Sequence, residues 1–468
     1  MVKPKEISAE LEAEVSNLPL KVTGKIPSWL KGTMVRNGAV TVSINGKSNE
    51  HWFDGLAMLH AFSFDQGHVN YTNKFLRTDA YTTVFEKGSL NYIGFASDPC
   101  RSLFKSFFNF FIPHSTLPLH NANVNVAKLA DHYVALTEIP LPVKFDPQTL
   151  DTLGVLNYQD DLPKEKCWES AHPHHHVNQK QTLNYLIKYG RKSYYTLYSI
   201  QDGSSTRSII SEVEVKEPAY MHSFALTENY IILTEFPLVV KPLDLITKGQ
   251  GFIKNFTWQP KRGTQFIVIN RHDGSVKGKY ITKPFFAFHH ANAFERDGKI
   301  HLDCVTYEDA TIITDLNIDP SKRTRETALG YIKRFSLSPE SGEFTIEPLF
   351  SKPCEFPRIN QAYDSLPYTY CYVADFSDLN KNAALHKINT ETKQVVTWQE
   401  EGCIPGEPLF IAAPNSQKED DGVVLCIIID EKSHQSFLLI LDGNSFQEIG
   451  RAHAPHLIPA GLHGQFFA

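Results

Sequence analysis

Apolar residues in this chain come in short runs, not in long helical stripes. Residues 133–138, 194–200, 230–235, 266–270, 368–373 and 422–430 are each dominated by Val, Ile, Leu, Tyr, Phe or Thr. Such β-branched and aromatic runs fit a pleated, half-buried surface and predict strands. Turn signals separate them: Asn45-Gly46, Asp273-Gly274, Asp297-Gly298, Ser341-Gly342 and Asp442-Gly443. Strands alternating with such dipeptides predict an antiparallel, all-β protein. Few amphipathic helices are visible; residues 9–15 predict one. No low-complexity linker interrupts the pattern, so residues 1–468 are expected to form a single domain. A β-propeller accommodates this pattern, because its strands converge on one axis. Four strands of ~6 residues with ~5-residue connections make a blade of roughly 45 residues. Seven blades would use about 315 residues and leave about 150 for a loop and helix cap over one end of the axis. No repeat signature such as Trp-Asp is evident, and a double sandwich is equally open on this pattern.

Composition narrows the class. The 468 residues are 42% hydrophobic and 21% charged, which suits a globular core and not a disordered chain. A net charge of -6 gives no electrostatic case for nucleic acid. The seven cysteines lie singly, with no Cys-x-x-Cys pair, which predicts reduced thiols in a cytoplasmic setting. The charged first 14 residues do not read as a signal peptide. No stretch approaches the ~20 apolar residues of a membrane span.

Chemistry enters through four short histidine motifs. They are Ser170-Ala171-His172-Pro173-His174, Tyr220-Met221-His222-Ser223-Phe224, Phe288-His289-His290-Ala291-Asn292 and Gly461-Leu462-His463-Gly464-Gln465-Phe466. Their histidines are 50, 67 and 174 residues apart, compatible with one, one and about three blade steps. Each comes from a different segment, so only a convergent fold makes them one site. Imidazole suits zinc, copper, iron and nickel. Zinc with four protein ligands is closed and structural, whereas six-coordinate iron(II) with four histidines keeps two positions free. Spacing does not separate these cases. A ligating imidazole needs its other nitrogen held by an acceptor. Glu138, Glu355 and Glu407 sit in apolar strand or turn contexts and are candidates, with a structural strand-end role as the alternative.

A longer pattern is recognisable. It comprises Arg36-Asn37-Gly38; Phe53-Asp54-Gly55 with Met58 and His60; Ala171-His172-Pro173-His174; His222-Ser223-Phe224; His289 with Asn292; Glu355-Phe-Pro-Arg-Ile-Asn360; Glu419-Asp-Asp-Gly-Val-Val424; and His463-Gly-Gln-Phe466. In order and spacing, from about Gly24 to Phe467, this set resembles the carotenoid cleavage oxygenases. The branch with animal carotene oxygenases and the retinoid isomerase looks most similar. The resemblance implies a seven-bladed propeller with Fe2+ on its axis. It implies His172, His222, His289 and His463 as the metal ligands, and Glu138, Glu355 and Glu407 as carboxylates orienting three of them. By the same pattern His289, not His290, is the ligand, and strand alternation points the two to opposite faces. His174, His175 and His176 are expected to be exposed or one layer out. His51 and His60 are expected in packing or loop hydrogen bonds, Asp54-Gly55 in a tight turn, and Arg36 paired structurally with a buried carboxylate.

Phe104, Phe107, Phe108 and Phe111 fall on one helical face with Arg101 and Lys105 elsewhere on the wheel. This face predicts either an interfacial helix or a core helix. Residues 237–258 form a second apolar and basic stretch. Relatives implied by the resemblance dock on membranes at these two places, which implies a peripheral, monotopic protein. The chain thus reads as a non-haem iron(II) dioxygenase. It would use dioxygen to cleave a conjugated C=C bond of a carotenoid or apocarotenoid to aldehydes, with a lean toward central 15,15' cleavage of β-carotene to retinal. Its rivals are a retinoid isomerohydrolase, a stilbene-cleaving dioxygenase, and a lipid-binding propeller with a structural metal.

Overall fold

The computed structural model describes residues 7–90, 94–96, 121–164, 167–176, 179–248, 250–323, 328–376 and 383–468. Among them, seven antiparallel sheets of four or more strands follow one another along the chain, with two smaller ones. The sheet Asn125–Leu129, His132–Thr137, Ile139–Phe145, Thr152–Val155 shows the rule, each strand pairing with the next. The sheets starting at Cys167–Glu169, Ala225–Leu226, His290–Arg296 and Glu355–Ile359 repeat it. Chain ends break the sequential order. Gly461–Phe467, at the C-terminal end, pairs with Gly32–Val40, and Lys21–Gly24 pairs with Glu448–His453. First strands of neighbouring sheets touch: Ala225–Leu226 meets His290–Arg296, which meets Glu355–Ile359, then Leu409–Ala412, then Gly461–Phe467, then Asn125–Leu129.

The local rules read from the chain hold at the hairpins. Asn45 (φ 51°) with Gly46 (φ 75°), and Asp297 (φ 53°) with Gly298 (φ 72°), occupy the left-handed region at both central turn positions. That is the two-residue turn whose twist matches the flanking strands. The apolar runs are buried as expected; every residue from Gly422 to Ile428 except the first pairs across Gln435–Asp442 in a fully buried central strand.

One expectation fails. Residues 9–15 form no helix: Ile7–Ala9 pairs with Val42–Ile44, and Val15–Pro19 pairs with His68–Phe75. Glu12 accepts from the Ala9 N–H at 2.9 Å and Glu14 from the Phe75 N–H at 2.8 Å. A helix this short is marginal alone, and neighbouring strands offered its backbone partners. Within residues 237–258, positions 237–240, Ile253 and Phe256 are core, while 241–248 are half-buried or exposed. Leu238–Val239 pairs with Thr257–Trp258, Ile253 and Phe256 are buried, and Phe252 stacks on Trp168 at 3.8 Å. Only Leu243 and Ile246, both 67% exposed, stand clear on the four-residue helix Asp244–Thr247 and its N-cap. Phe104, Phe107, Phe108 and Phe111 lie outside the described residues. No described helix is long and apolar enough to cross a membrane.

Candidate metal centre

Irregular strand positions build the site. The first strand of the second sheet is interrupted: Cys167–Glu169 and His174–His176 both pair with Gln181–Lys188, and His172 lies in the gap. His289 precedes a register shift between His290 and Asn292; Phe356 and Pro357 lie in one between Glu355 and Arg358; His463 lies in one between Gly461 and Gly464. Glu407 occupies the break between Cys403–Pro405 and Leu409–Ala412. A bulge re-aims side chains that strict alternation would keep on the two sheet faces. Phe356 takes the strained φ of 51° that such a position imposes.

These breaks, with His222 in the loop just before Ala225–Leu226, bring the four histidines together. One ring nitrogen from each of His172, His222, His289 and His463 lies within 4.8 Å of the others. The Nε2 atoms of His172 and His222 are 2.9 Å apart, and those of His289 and His463 are 3.0 Å apart. On the far side of three rings sits a carboxylate. His222 Nδ1 lies 2.5 Å from Glu138 Oε1, His289 Nδ1 lies 2.6 Å from Glu355 Oε2, and His463 Nδ1 lies 2.8 Å from Glu407 Oε1. Among the described residues no carboxylate holds His172 in this way; its N–H backbone donates to Ser170 Oγ, which donates to the His222 carbonyl.

Burial and charge set the protonation. A carboxylate accepts, so each Nδ1 facing one carries the proton and leaves Nε2 with a lone pair. Burial drives His172 well below the ordinary imidazole range, with His463, His222 and His289 adding to the effect. Burial also lowers His463 to about 3, against the opposing pull of Glu407. Burial would raise Glu355 and Glu407, but nearby donors overrule it. His289, the Phe356 N–H and the Tyr307 hydroxyl lower Glu355; Arg358, His463 and Arg36 lower Glu407 much further. Neutral His172 and His463 beside ionised Glu355 and Glu407 are the result.

This arrangement tests whether a metal fits. At 3.0 Å, His289 and His463 aim Nε2 lone pairs at each other while both Nδ1 protons are committed to carboxylates. Two facing lone pairs repel; a shared cation turns the repulsion into coordination. The quartet therefore suits a metal ion of imidazole preference.

The surrounding residues are apolar or structural. Phe288 packs 5.5 Å from His222, and Phe356 packs 5.5 Å from both His289 and His463, ring centre to ring centre. His290 points away, bonded to Ser223 Oγ and Thr234 Oγ1. His174 reaches Asp364 and the Phe224 carbonyl, and exposed His175 reaches Asp202. His51 contacts the Ile313 carbonyl, His60 contacts the Tyr71 hydroxyl, and Asp54 accepts from the Phe95 and Ala96 N–H groups. Arg36 donates to Glu407, the buried carboxylate expected for it. Sequence reasoning missed Tyr220 and Tyr307, whose hydroxyls donate to Glu138 at 3.0 Å and Glu355 at 3.0 Å. Tyr220 stood two residues before a histidine, a usable signal; Tyr307 had none.

The family profile described as retinal pigment epithelial membrane protein, RPE65, matches residues 7–468. The chain is 30% identical to β,β-carotene 15,15'-dioxygenase of Gallus gallus over 96% of its length and 95% of the relative's. It is 31% identical to carotenoid isomerooxygenase of Galleria mellonella, covering 97% and 94%. A variant of Synechocystis apocarotenoid oxygenase superposes with a TM-score of 0.86 at 27% identity, covering 98% of this chain and 96% of that one. The cobalt-substituted form of that oxygenase gives a TM-score of 0.83 at 26% identity, covering 99% and 96%. With a matching profile over nearly its whole length, the chain belongs to the RPE65 family of carotenoid oxygenases.

Proposed function

We propose that this protein is a non-haem iron(II) dioxygenase that cleaves a conjugated double bond of a carotenoid or apocarotenoid into two carbonyl products. The reading rests on one observation above the others: four imidazoles whose Nε2 atoms face one another in pairs, three of them backed by carboxylates. Relatives named as carotene dioxygenases, 30–31% identical over nearly the whole chain, support the substrate class and dioxygen as co-substrate. In this reading residues 1–468 are one seven-bladed propeller. The sheet succession, the touching first strands and the pairing of Gly461–Phe467 with Gly32–Val40 support it.

Each residue has a task. His172, His222, His289 and His463 hold the iron. Glu138, Glu355 and Glu407 fix three imidazoles in the Nδ1–H tautomer and in orientation. Iron(II) in such a donor set supplies activation of dioxygen beside an alkene. Phe288 and Phe356, against the ligand rings, keep water from the reacting centre and offer flat apolar contact to a polyene. No acid or base is needed, because both atoms of dioxygen end in the products, one in each carbonyl. Exposed Leu243 and Ile246, flanked by Lys241 and Lys248, are placed to touch a membrane from which an insoluble substrate is drawn.

Labelled dioxygen tests the reading. Iron-loaded protein, given β-carotene or an apocarotenal, should leave one labelled atom in each carbonyl product, after correction for exchange of aldehydes with water. Undiminished turnover under strict anaerobiosis, with an isomerised alcohol as product, would move the assignment to an isomerohydrolase. A bound metal with no turnover of any polyene would favour a structural metal in a lipid-binding protein.

A further inference from the structure

The three carboxylates behind the histidines are not equivalent. Glu138 and Glu355 are held by neutral donors. Tyr220 gives its hydroxyl to both oxygens of Glu138, while Glu355 receives the Tyr307 hydroxyl and the Phe356 N–H. Among the described residues, no lysine or arginine lies in ion-pair reach of either. Glu407 instead sits between two guanidinium groups. Arg36 Nη1 lies 2.6 Å from its Oε2, and Arg358 Nη1 lies 3.7 Å from its Oε1.

Arg36 does more than neutralise Glu407. Nη1 also donates to the Leu462 carbonyl at 2.6 Å, and Nη2 donates to the Glu407 carbonyl at 2.5 Å. One planar fork thus grips the carboxylate, the backbone that carries it and the residue preceding His463. The Gly464 N–H, on the other side of His463, donates to the same Oε2 at 3.0 Å. Arg36 belongs to Gly32–Val40, Glu407 to the break in the adjacent sheet, and His463 to the C-terminal strand. With Arg36 and Glu407 2% and 1% exposed, water is a poor substitute for either.

Resting on the metal-site reading above, we infer that Arg36 is a positioning residue for the metal. Acting through Glu407, it fixes the aim of His463 and makes that imidazole a weaker electron donor than His222 or His289. The cause is electrostatic. A carboxylate that shares its charge with guanidinium groups draws less on the imidazole Nδ1 proton than one held by a tyrosine hydroxyl. Less negative charge then passes to Nε2.

A double-mutant cycle read by cobalt(II) tests this without reference to turnover. Affinity is measured by competition with a chromophoric chelator, and ligand-field absorption in the visible reports the donor set. Arg36→Met strengthens donation by His463 but releases its aim, and the lost aim should dominate. Cobalt(II) binding should weaken by about 10–100-fold while the changed donor shifts the visible bands, and Glu407→Gln should weaken binding likewise. The double variant should be no weaker than Glu407→Gln, because Arg36 has nothing left to act through. Arg36→Lys keeps the buried charge, and with it the fold, but cannot span the three acceptors. It should weaken binding by about tenfold, so the inference stays testable if Arg36→Met does not fold. Wild-type affinity and spectrum in Arg36→Lys or Arg36→Met, whatever the change in melting temperature, would show a structural role only and overturn the inference. Independent, multiplying losses in the double variant would overturn it equally. Failure of the wild type to bind cobalt(II) would instead defeat the metal-site reading, and this inference with it.

Discussion

His222 and Glu138 show how much of the site hangs on single atoms. The Nδ1–Oε1 contact of 2.5 Å sets tautomer and ring angle together. His222→Ala or His463→Ala removes a donor outright, so purified protein should carry far less than one iron per chain and lose nearly all turnover. Full iron occupancy in either variant would defeat the ligand assignment; metal analysis of the purified protein decides it. Glu355→Gln is a smaller change, because the amide still accepts through its carbonyl oxygen but brings no charge. Metal affinity or activity should fall by about 10–100-fold. Tyr307→Phe removes only one donor to Glu355 and should cost less than Glu355→Gln in the same assay.

At the scale of elements, the bulges and the closing strand carry the site. Gly464 packs so closely on Gly32–Val40 that a Cβ would stand 2.7 Å from the Val35 carbonyl oxygen. Gly464→Ala must push the two strands apart next to His463. We expect a loss of about 1–3 kcal/mol in urea denaturation, accompanied by weaker metal binding. Unchanged stability would mean that the closing strand is not held against its neighbour as described. The short helix Asp244–Thr247 makes a different prediction. Leu243→Ser/Ile246→Ser alters two exposed side chains and should leave thermal stability unchanged. It should weaken liposome binding and reduce activity on carotenoid in vesicles more than in detergent. Equal liposome binding by wild type and variant would remove this helix from the membrane contact.

The whole molecule responds to acid through its buried imidazoles. His60 is lowered to about 3 by burial, with His456 and Arg36 adding to the effect; His290 is likewise lowered to about 3 by burial, then by His174 and His289. Between their ordinary value near 6.5 and about 3, the unfolded chain takes up protons that the folded chain refuses. Stability is therefore full above about pH 6.5 and falls as the pH drops through that window. The limit is roughly 1.4 kcal/mol per pH unit for each such histidine. Urea midpoints measured from pH 8 to pH 4 should decline below pH 6.5. Midpoints that stay level from pH 7 to pH 5 would mean these rings are not held neutral.

Much of this was legible in the chain because it is local. Alternation and Asn-Gly or Asp-Gly turns specify antiparallel hairpins within a few residues, and four histidine motifs with three glutamates supplied the atoms of the site. The breaks that aim those atoms were only half legible. Pro173, Gly406 and Pro408 say that a strand must stop, but not that it resumes on the same partner, since a bulge depends on the strand beside it. Residues 9–15 followed a helical pattern yet became strands, because two sheets offered their backbone groups partners that a short helix could not match. Residues 237–258 divide between core and surface only in the fold: Phe252 stacks on Trp168, while Leu243 and Ile246 stay exposed. Tyr307 and Arg36 serve carboxylates 48 and 371 residues away. Side-chain chemistry and local period were enough to name the residues that could hold a metal and most of the strands, residues 9–15 excepted. Tertiary structure alone decided that Nε2 atoms of distant histidines meet in facing pairs and that one carboxylate of three is shared with arginines, because convergence and burial belong to no segment taken alone.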